Sequence, residues 1–267
     1  MKKSFLALVF LLTGSFAAAA QTPPGAPSVE TPAIAAKAYL LVDFYSGQTL
    51  LERNAQERIE PASLTKLMTA YLTFTALRQR KLSPYQILPV SERAWRAEGS
   101  RMFIQPGKPV SVDELVRGMI VQSGNDACIA LAEGIAGSEE EFARRMNDMA
   151  QRLGMTNTHF VNATGLPHPQ HYTTAYDLAV LARAIIRDFP EYYAYYSLKE
   201  YTYNNITQAN RNRLLWLDPT VDGMKTGHTK AAGYCLISSA KRGERRLIAV
   251  VLGADSGNAR AAESQKL

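Results

Sequence analysis

The stretch PASLTKLMTAY (61–71) sets Ser63 three residues before Lys66. A free serine hydroxyl is a weak nucleophile and needs a base beside it. Histidine is the usual base. The chain has no G-x-S-x-G elbow, and His159, His168 and His171 fall in one loop region without an HExxH pattern. These three read as loop-surface residues. Lysine can serve instead: on a helix, residues i and i+3 share a face, so the Ser63 and Lys66 side chains can meet. A solvated lysine, with a pKa near 10.4, is neutral in only about one molecule in two thousand at pH 7. Burial and a second cation both lower that value. Leu64, Leu67 and Met68 offer burial; the second cation must come from elsewhere in the chain.

Two more triplets complete the chemistry. SGN (123–125) lies on a tight connection between two apolar helical runs, where Ser123 could relay a proton and Asn125 could bind a substrate amide. KTGH (225–228) stands just before the strand-like AGYCLISSA. A strand edge can pair with an extended peptide; Lys225 would be the second cation and Thr226 a donor to a carboxylate. Singly these signals are weak. S-x-x-K recurs in SSAK (238–241) and S-x-N recurs at Ser256–Asn258, while K-T-G is unique. Ser238 and Lys241 lie an odd number apart at a strand end and would face opposite sides. The signal is the ordered set, with gaps of about sixty and about one hundred residues.

Around these motifs, AKAYLLVDFYSGQTLLERN (36–54) reads as two strands about a YSGQ turn. The region from about Ser91 to Phe189 is mostly helical, with capping boxes at Ser111/Glu114 and Ser138/Glu141 and a helix end at Gly154. From Lys199 the pattern turns to strands, and GYCLISSA and RRLIAVVLGA flank a KRGE hairpin turn. NARAAESQKL looks like a helix opening. Strands at both ends with helices between predict an α+β (mixed α/β) fold: one sheet built from both termini, with a helical insertion.

MKKSFLALVFLLTGSFAAAAQ reads as a signal peptide over residues 1–20, so the protein is expected to be exported. A Pro-rich, mobile linker follows over 21–35, and one domain fills 36–267. Removal of Lys2 and Lys3 lowers the formal charge from +6 to +4. That suits an anionic envelope setting and is too dispersed to argue for nucleic acid. Cys128 and Cys235 each lie in an apolar run, which leaves a disulfide and two buried thiols equally open. Two cysteines and scattered histidines give no basis for a zinc site.

With the motifs in hand, the sequence resembles the serine penicillin-recognising enzymes, and within them the low-molecular-mass penicillin-binding proteins of D-alanyl-D-alanine carboxypeptidase type. PASLTKLMTAY, SGNDACIALAE, NRNRLLW, VDGMKTGHT and RRLIAVVLGA carry the resemblance over nearly the whole mature chain. It implies a β-lactamase/transpeptidase-like fold, a mainly antiparallel sheet flanked by helices plus a helical subdomain. Ser63 would be the acylated nucleophile, Lys66 its base, and Ser123 and Asn125 cleft residues. Lys225, Thr226 and Gly227 would form the strand side. Arg260 would meet the substrate carboxylate and Arg211 support the cleft. The N–H groups of Ser63 and His228 would form the oxyanion hole. The implied partners are peptidoglycan stem peptides, with β-lactams as covalent inhibitors, in the periplasm. No metal or organic cofactor is implied. A further β-rich domain and an amphipathic anchor helix usual in such enzymes are not in this sequence, which leaves membrane attachment of this chain doubtful.

Three other functions share the pattern. A β-lactamase of one major class deacylates with a glutamate between the second and third motifs; here none occurs between Glu141 and Glu191, and the loop offers only Asp177, which equally reads as stabilising a helix start. A D,D-endopeptidase carries the same motifs. A non-catalytic penicillin sensor needs acylation without turnover.

Overall fold

A computed structural model describes residues 32–267. The signal-peptide reading and most of the Pro-rich linker lie outside the described residues. Those residues form one compact unit, Pro32–Leu267. The last linker residues are ordered: Ile34 is buried, and the Ala35 N–H donates to Glu263. The domain therefore begins before residue 36.

In chain order come β1 (Ala38–Asp43), β2 (Thr49–Arg53), α1 (Lys66–Arg78), β3 (Ile87–Leu88), α2 (Glu92–Trp95), β4 (Val110–Ser111) and α3 (Val112–Val121). Next are α4 (Asn125–Ala136), α5 (Glu139–Leu153), α6 (Ala175–Asp188), α7 (Pro190–Tyr193), β5 (Glu200–Tyr203), β6 (Ile206–Ala209) and α8 (Leu214–Leu217). The chain closes with β7 (Val221–Thr229), β8 (Gly233–Arg242), β9 (Arg245–Ala254) and α9 (Gly257–Lys266).

The main sheet has the order β2-β1-β9-β8-β7, each pair antiparallel. It joins strands from both ends of the sequence, as the pattern predicted. Alternation along the strands splits the apolar residues between two faces. Ala38, Leu40 and Val42 join Ile248, Val250 and Leu252 in the main core with the helices, whereas Leu236 packs with Leu214 and with Ala261 of α9. Central strands covered on both faces read as continuous apolar runs, which is why LIAVVL shows no clean alternation. The β8–β9 turn has Arg242 paired with Arg245 and Gly243 at φ +57°. A two-residue hairpin with positive φ at its first central position calls for glycine.

α1 is buried from Lys66 through Phe74 and shows no polar face, because α3, α4, α5 and α6 pack around it. The Ser111/Glu114 capping box forms in both directions. At Ser138 only half forms: its hydroxyl accepts from the Glu141 N–H, while the Glu141 carboxylate turns to Arg144 and Arg145. Both cysteines are free and buried.

Candidate active site

Ser63 sits on a single 3₁₀ turn, Ala62–Thr65, that runs directly into α1. Its entry is Ala62 at φ +49°, an unusual conformation for a residue with a Cβ. Lys66, 1 % exposed, places Nζ 3.0 Å from Ser63 Oγ. It also donates to Asn125 Oδ1 and to the Thr164 carbonyl, each at 2.6 Å. Burial pushes the Lys66 ammonium down to about 8; the Arg211 cation adds to this, and Asp126 and Cys128 act against it. The sequence reading assigned that second cation to Lys225.

Ser123 lies between α3 and α4 at φ +58°, and its Oγ accepts from Lys225 Nζ at 2.9 Å. Lys225 is itself buried and held well below the usual lysine range, by burial first and then by the cations Lys66, Arg211 and Arg260. Its triplet does precede the strand AGYCLISSA, here β8, but itself lies within β7, an edge strand bonded only to β8. Gly227 brings β7 close to the Ser63 turn: a Cβ there would lie 3.2 Å from Ala62 Cβ and 3.3 Å from the Pro61 carbonyl.

Ser63, Ser123, Thr226, Gly227, His228, Arg211 and Arg260 line one cavity of about 270 Å³, together with Ser100 and Tyr234. Lys66 and Lys225 lie behind it. Asn125, expected to face substrate, has both ends of its amide engaged inside the protein: Oδ1 accepts from Lys66, and Nδ2 donates to the Glu98 carbonyl at 2.6 Å. Arg211 donates to Ser100 Oγ at 2.7 Å. Arg260 projects from α9, whose first turn Ser256 caps, and donates to the Gly227 carbonyl at 3.2 Å. The second S-x-N motif is thus a helix cap. The His228 ring packs on Tyr234 with centroids 4.1 Å apart, and the Arg260 guanidinium lies 5.6 Å from that same Tyr234 ring. The second S-x-x-K pair does not meet: Ser238 lines a separate cavity of about 140 Å³, and Lys241 is exposed at the end of β8.

Several groups escaped sequence reasoning. Thr164 acts through its backbone carbonyl, which no residue type announces. Gly165, at φ +90°, lies so close that a Cβ would stand 1.8 Å from the Ala62 carbonyl oxygen. The buried Asp126 carboxylate accepts from the N–H groups of Met102, Phe103, Ile104 and Ala127 and so fixes the segment that carries Ser100. His171 corrects the reading of the histidines as loop surface: it is 2 % exposed and bonded to Thr65 Oγ1. Asp177 accepts from the Asn157 N–H and Thr158 hydroxyl beside the start of α6. Among the described residues, no group of three or more His, Cys, Asp or Glu residues could hold a metal ion.

The D-alanyl-D-alanine carboxypeptidase family model matches residues 25–256. D-alanyl-D-alanine carboxypeptidase DacC of Escherichia coli is 48 % identical over 268 residues, which span 98 % of this chain and 66 % of that relative. The chain thus spans about two thirds of that relative's length. Penicillin binding protein 5 of Haemophilus influenzae superposes with a TM-score of 0.87 at 46 % identity, over 88 % of this chain and 70 % of that one. Ampicillin-bound penicillin-binding protein D2 of Listeria monocytogenes gives a TM-score of 0.81 at 33 % identity, over 88 % of this chain and 96 % of that one.

Proposed function

Because this chain belongs to the D-alanyl-D-alanine carboxypeptidase family, we propose that it removes the terminal D-alanine from peptidoglycan stem peptides through an acyl-enzyme on Ser63. The arrangement of Lys66 carries the reading. A neutral lysine has two N–H bonds and one lone pair. Asn125 Oδ1 and the Thr164 carbonyl take the two N–H bonds, so the lone pair is left for the Ser63 hydroxyl. With a pKa of about 8, roughly a tenth of Lys66 is neutral at pH 7, some 200-fold more than for a solvated lysine.

Ser63 Oγ gives its proton to Lys66 and bonds to the carbonyl carbon of the D-Ala–D-Ala peptide. The N–H groups of Ser63 and His228 stabilise the oxyanion. The C–N bond breaks as the proton that Lys66 took from Ser63 passes by way of Ser123, which Lys225 holds in place, to the leaving nitrogen, and Lys66 is neutral again. The free edge of β7 aligns the stem peptide as an added strand. Asn125 Oδ1 retains a second lone pair for a substrate N–H. Arg260, with Thr226 and Arg211, receives the terminal carboxylate. Water then hydrolyses the ester and regenerates Ser63. A β-lactam mimics the dipeptide and acylates the same oxygen. The leader pattern and this substrate support a periplasmic location.

Intact-mass measurement after penicillin treatment tests the reading. One adduct on Ser63, with D-alanine release from a pentapeptide that is lost in Ser63→Ala, supports it. No adduct overturns it, and rapid loss of the adduct with free penicilloate would favour a β-lactamase.

A further inference from the structure

The acylation scheme makes no use of His171, although this histidine is as buried as the residues that carry the scheme. Its hydrogen bonds fix its tautomer. The Val161 N–H can only donate, so Nδ1, 3.1 Å away, is the acceptor. The ring proton is then on Nε2, which donates to Thr65 Oγ1 at 2.8 Å. Thr65 is fully buried and lies in the Ser63 turn, directly before Lys66. His171 ends a loop closed by paired bonds between His159 and Tyr172. That loop presents the Thr164 carbonyl to Lys66 and, one residue earlier, the Ala163 carbonyl to Thr69 Oγ1 at 2.7 Å. The loop is therefore fastened to the Ser63 turn at Thr65 and to α1 at Lys66 and Thr69, and the His171 bond is the fastening nearest Ser63 in sequence.

The geometry points to His171 as a positioning residue for the Ser63–Lys66 pair: through Thr65 it holds the loop whose Thr164 carbonyl orients Lys66. A neutral ring suits this role. His159 and His168 on its own loop and Lys66 on α1 face it, and burial foremost pushes it down to about 4. Lys66 in turn faces Asp126 and Cys128 from α4, Lys225 from β7, and Arg211. A loosened loop would admit water to Lys66 and return it toward the ordinary lysine range.

The inference rests on Ser63 acylation. The test follows acylation by a fluorescent penicillin from about pH 6 to about pH 10, with thermal melts in parallel. His171→Phe fills the space without hydrogen-bonding atoms. It is expected to slow acylation at least about tenfold at neutral pH and to move the acid limb upward from about 8. His171→Gln, which can donate to Thr65 and accept from Val161, should restore most of both. Thr65→Val breaks the same bond from the other side and should reproduce the shift, and the double variant should be no worse than the more affected single variant. Thr65→Val alone carries the test if His171→Phe does not fold. A folded variant with lowered melting temperature but an unmoved acid limb assigns His171 a structural role only and overturns the inference, as do additive effects of the two changes. If the unmodified protein is not acylated, the proposed function falls, and this inference with it.

Discussion

Replacing Gly165 by alanine should disable Ser63 while leaving the domain folded. The residue holds φ +90°, and an alanine confined to that left-handed region costs about 1–2 kcal/mol. The larger effect is contact. The new Cβ would stand 1.8 Å from the Ala62 carbonyl oxygen and 2.4 Å from its carbon. Both are backbone atoms, so no side chain can swing aside. Relief requires the loop and the Ser63 turn to separate by more than about 1 Å, and the carbonyl of Thr164, the preceding residue, moves with the loop. Its 2.6 Å bond to Lys66 would then pass beyond hydrogen-bonding range. A misplacement of this size at reacting groups costs on the order of 10²-fold in rate. Stopped-flow acylation by a penicillin should therefore fall by about two decades, with a melting temperature lowered by only several degrees. An alanine variant that acylates within about threefold of the parent would refute the claim that this loop sets the base.

Further outcomes follow from the same geometry. Lys66→Ala should lower acylation by about 10²–10⁴, the usual contribution of a general base, with the cleft intact by ligand-free melting. In the unmodified protein the acylation rate should rise with pH through about 8, because only neutral Lys66 can take the Ser63 proton; a rate flat from pH 6 to 9 would exclude Lys66 as base. Arg260→Leu should cut kcat/KM for a peptide with a free terminal carboxylate by about 10–100-fold and leave the amidated peptide almost unchanged. His171 titrates lower in the folded chain than in the unfolded one, so its stability contribution is present above the unfolded pKa and lost as pH falls toward about 4. Denaturant titration should show about 2–3 kcal/mol of acid sensitivity between pH 7 and 4.5 that a folded His171→Gln variant lacks.

The sequence exposed those parts of the site that depend on residue type at short range. Ser63 and Lys66 share one turn, Ser123 and Asn125 one connection, and Lys225 to His228 one strand, so local spacing is enough to group each set. The sheet was legible for a related reason: the strands near both termini are apolar runs bounded by turn residues. What stayed hidden depends on tertiary approach. Nothing in NATGL says that its carbonyl will meet a lysine nearly a hundred residues earlier. His171 stands in a polar, proline-containing loop that reads as solvated, and only the packing of Phe160 and the Ser63 turn against it makes it a core residue. Ser100 belongs to a segment with no periodicity, shaped by the distant Asp126 carboxylate. Motif spacing also could not tell that Asn125 is committed to Lys66 and Glu98.

The three acceptors around Lys66 explain how a buried lysine can change charge there without rebuilding the site. As an ammonium it has three donors, and Ser63 Oγ, Asn125 Oδ1 and the Thr164 carbonyl can satisfy all three. As an amine it keeps two of these bonds and accepts the third from the serine hydroxyl. Passage between the states needs only rotation of one hydroxyl, so little reorganisation accompanies proton transfer. Both states leave no orphaned buried polar atom on the lysine, which limits the large cost of burying a charge. The burial that remains unfavourable to the ammonium is what lowers its pKa and suits it to the proposed role of base. An acceptor lost from either side would strand a donor of the charged form and free the amine to turn from Ser63. The asparagine of the second motif and the carbonyl of a loop with no motif of its own are thus equal partners in orienting the lysine of the first.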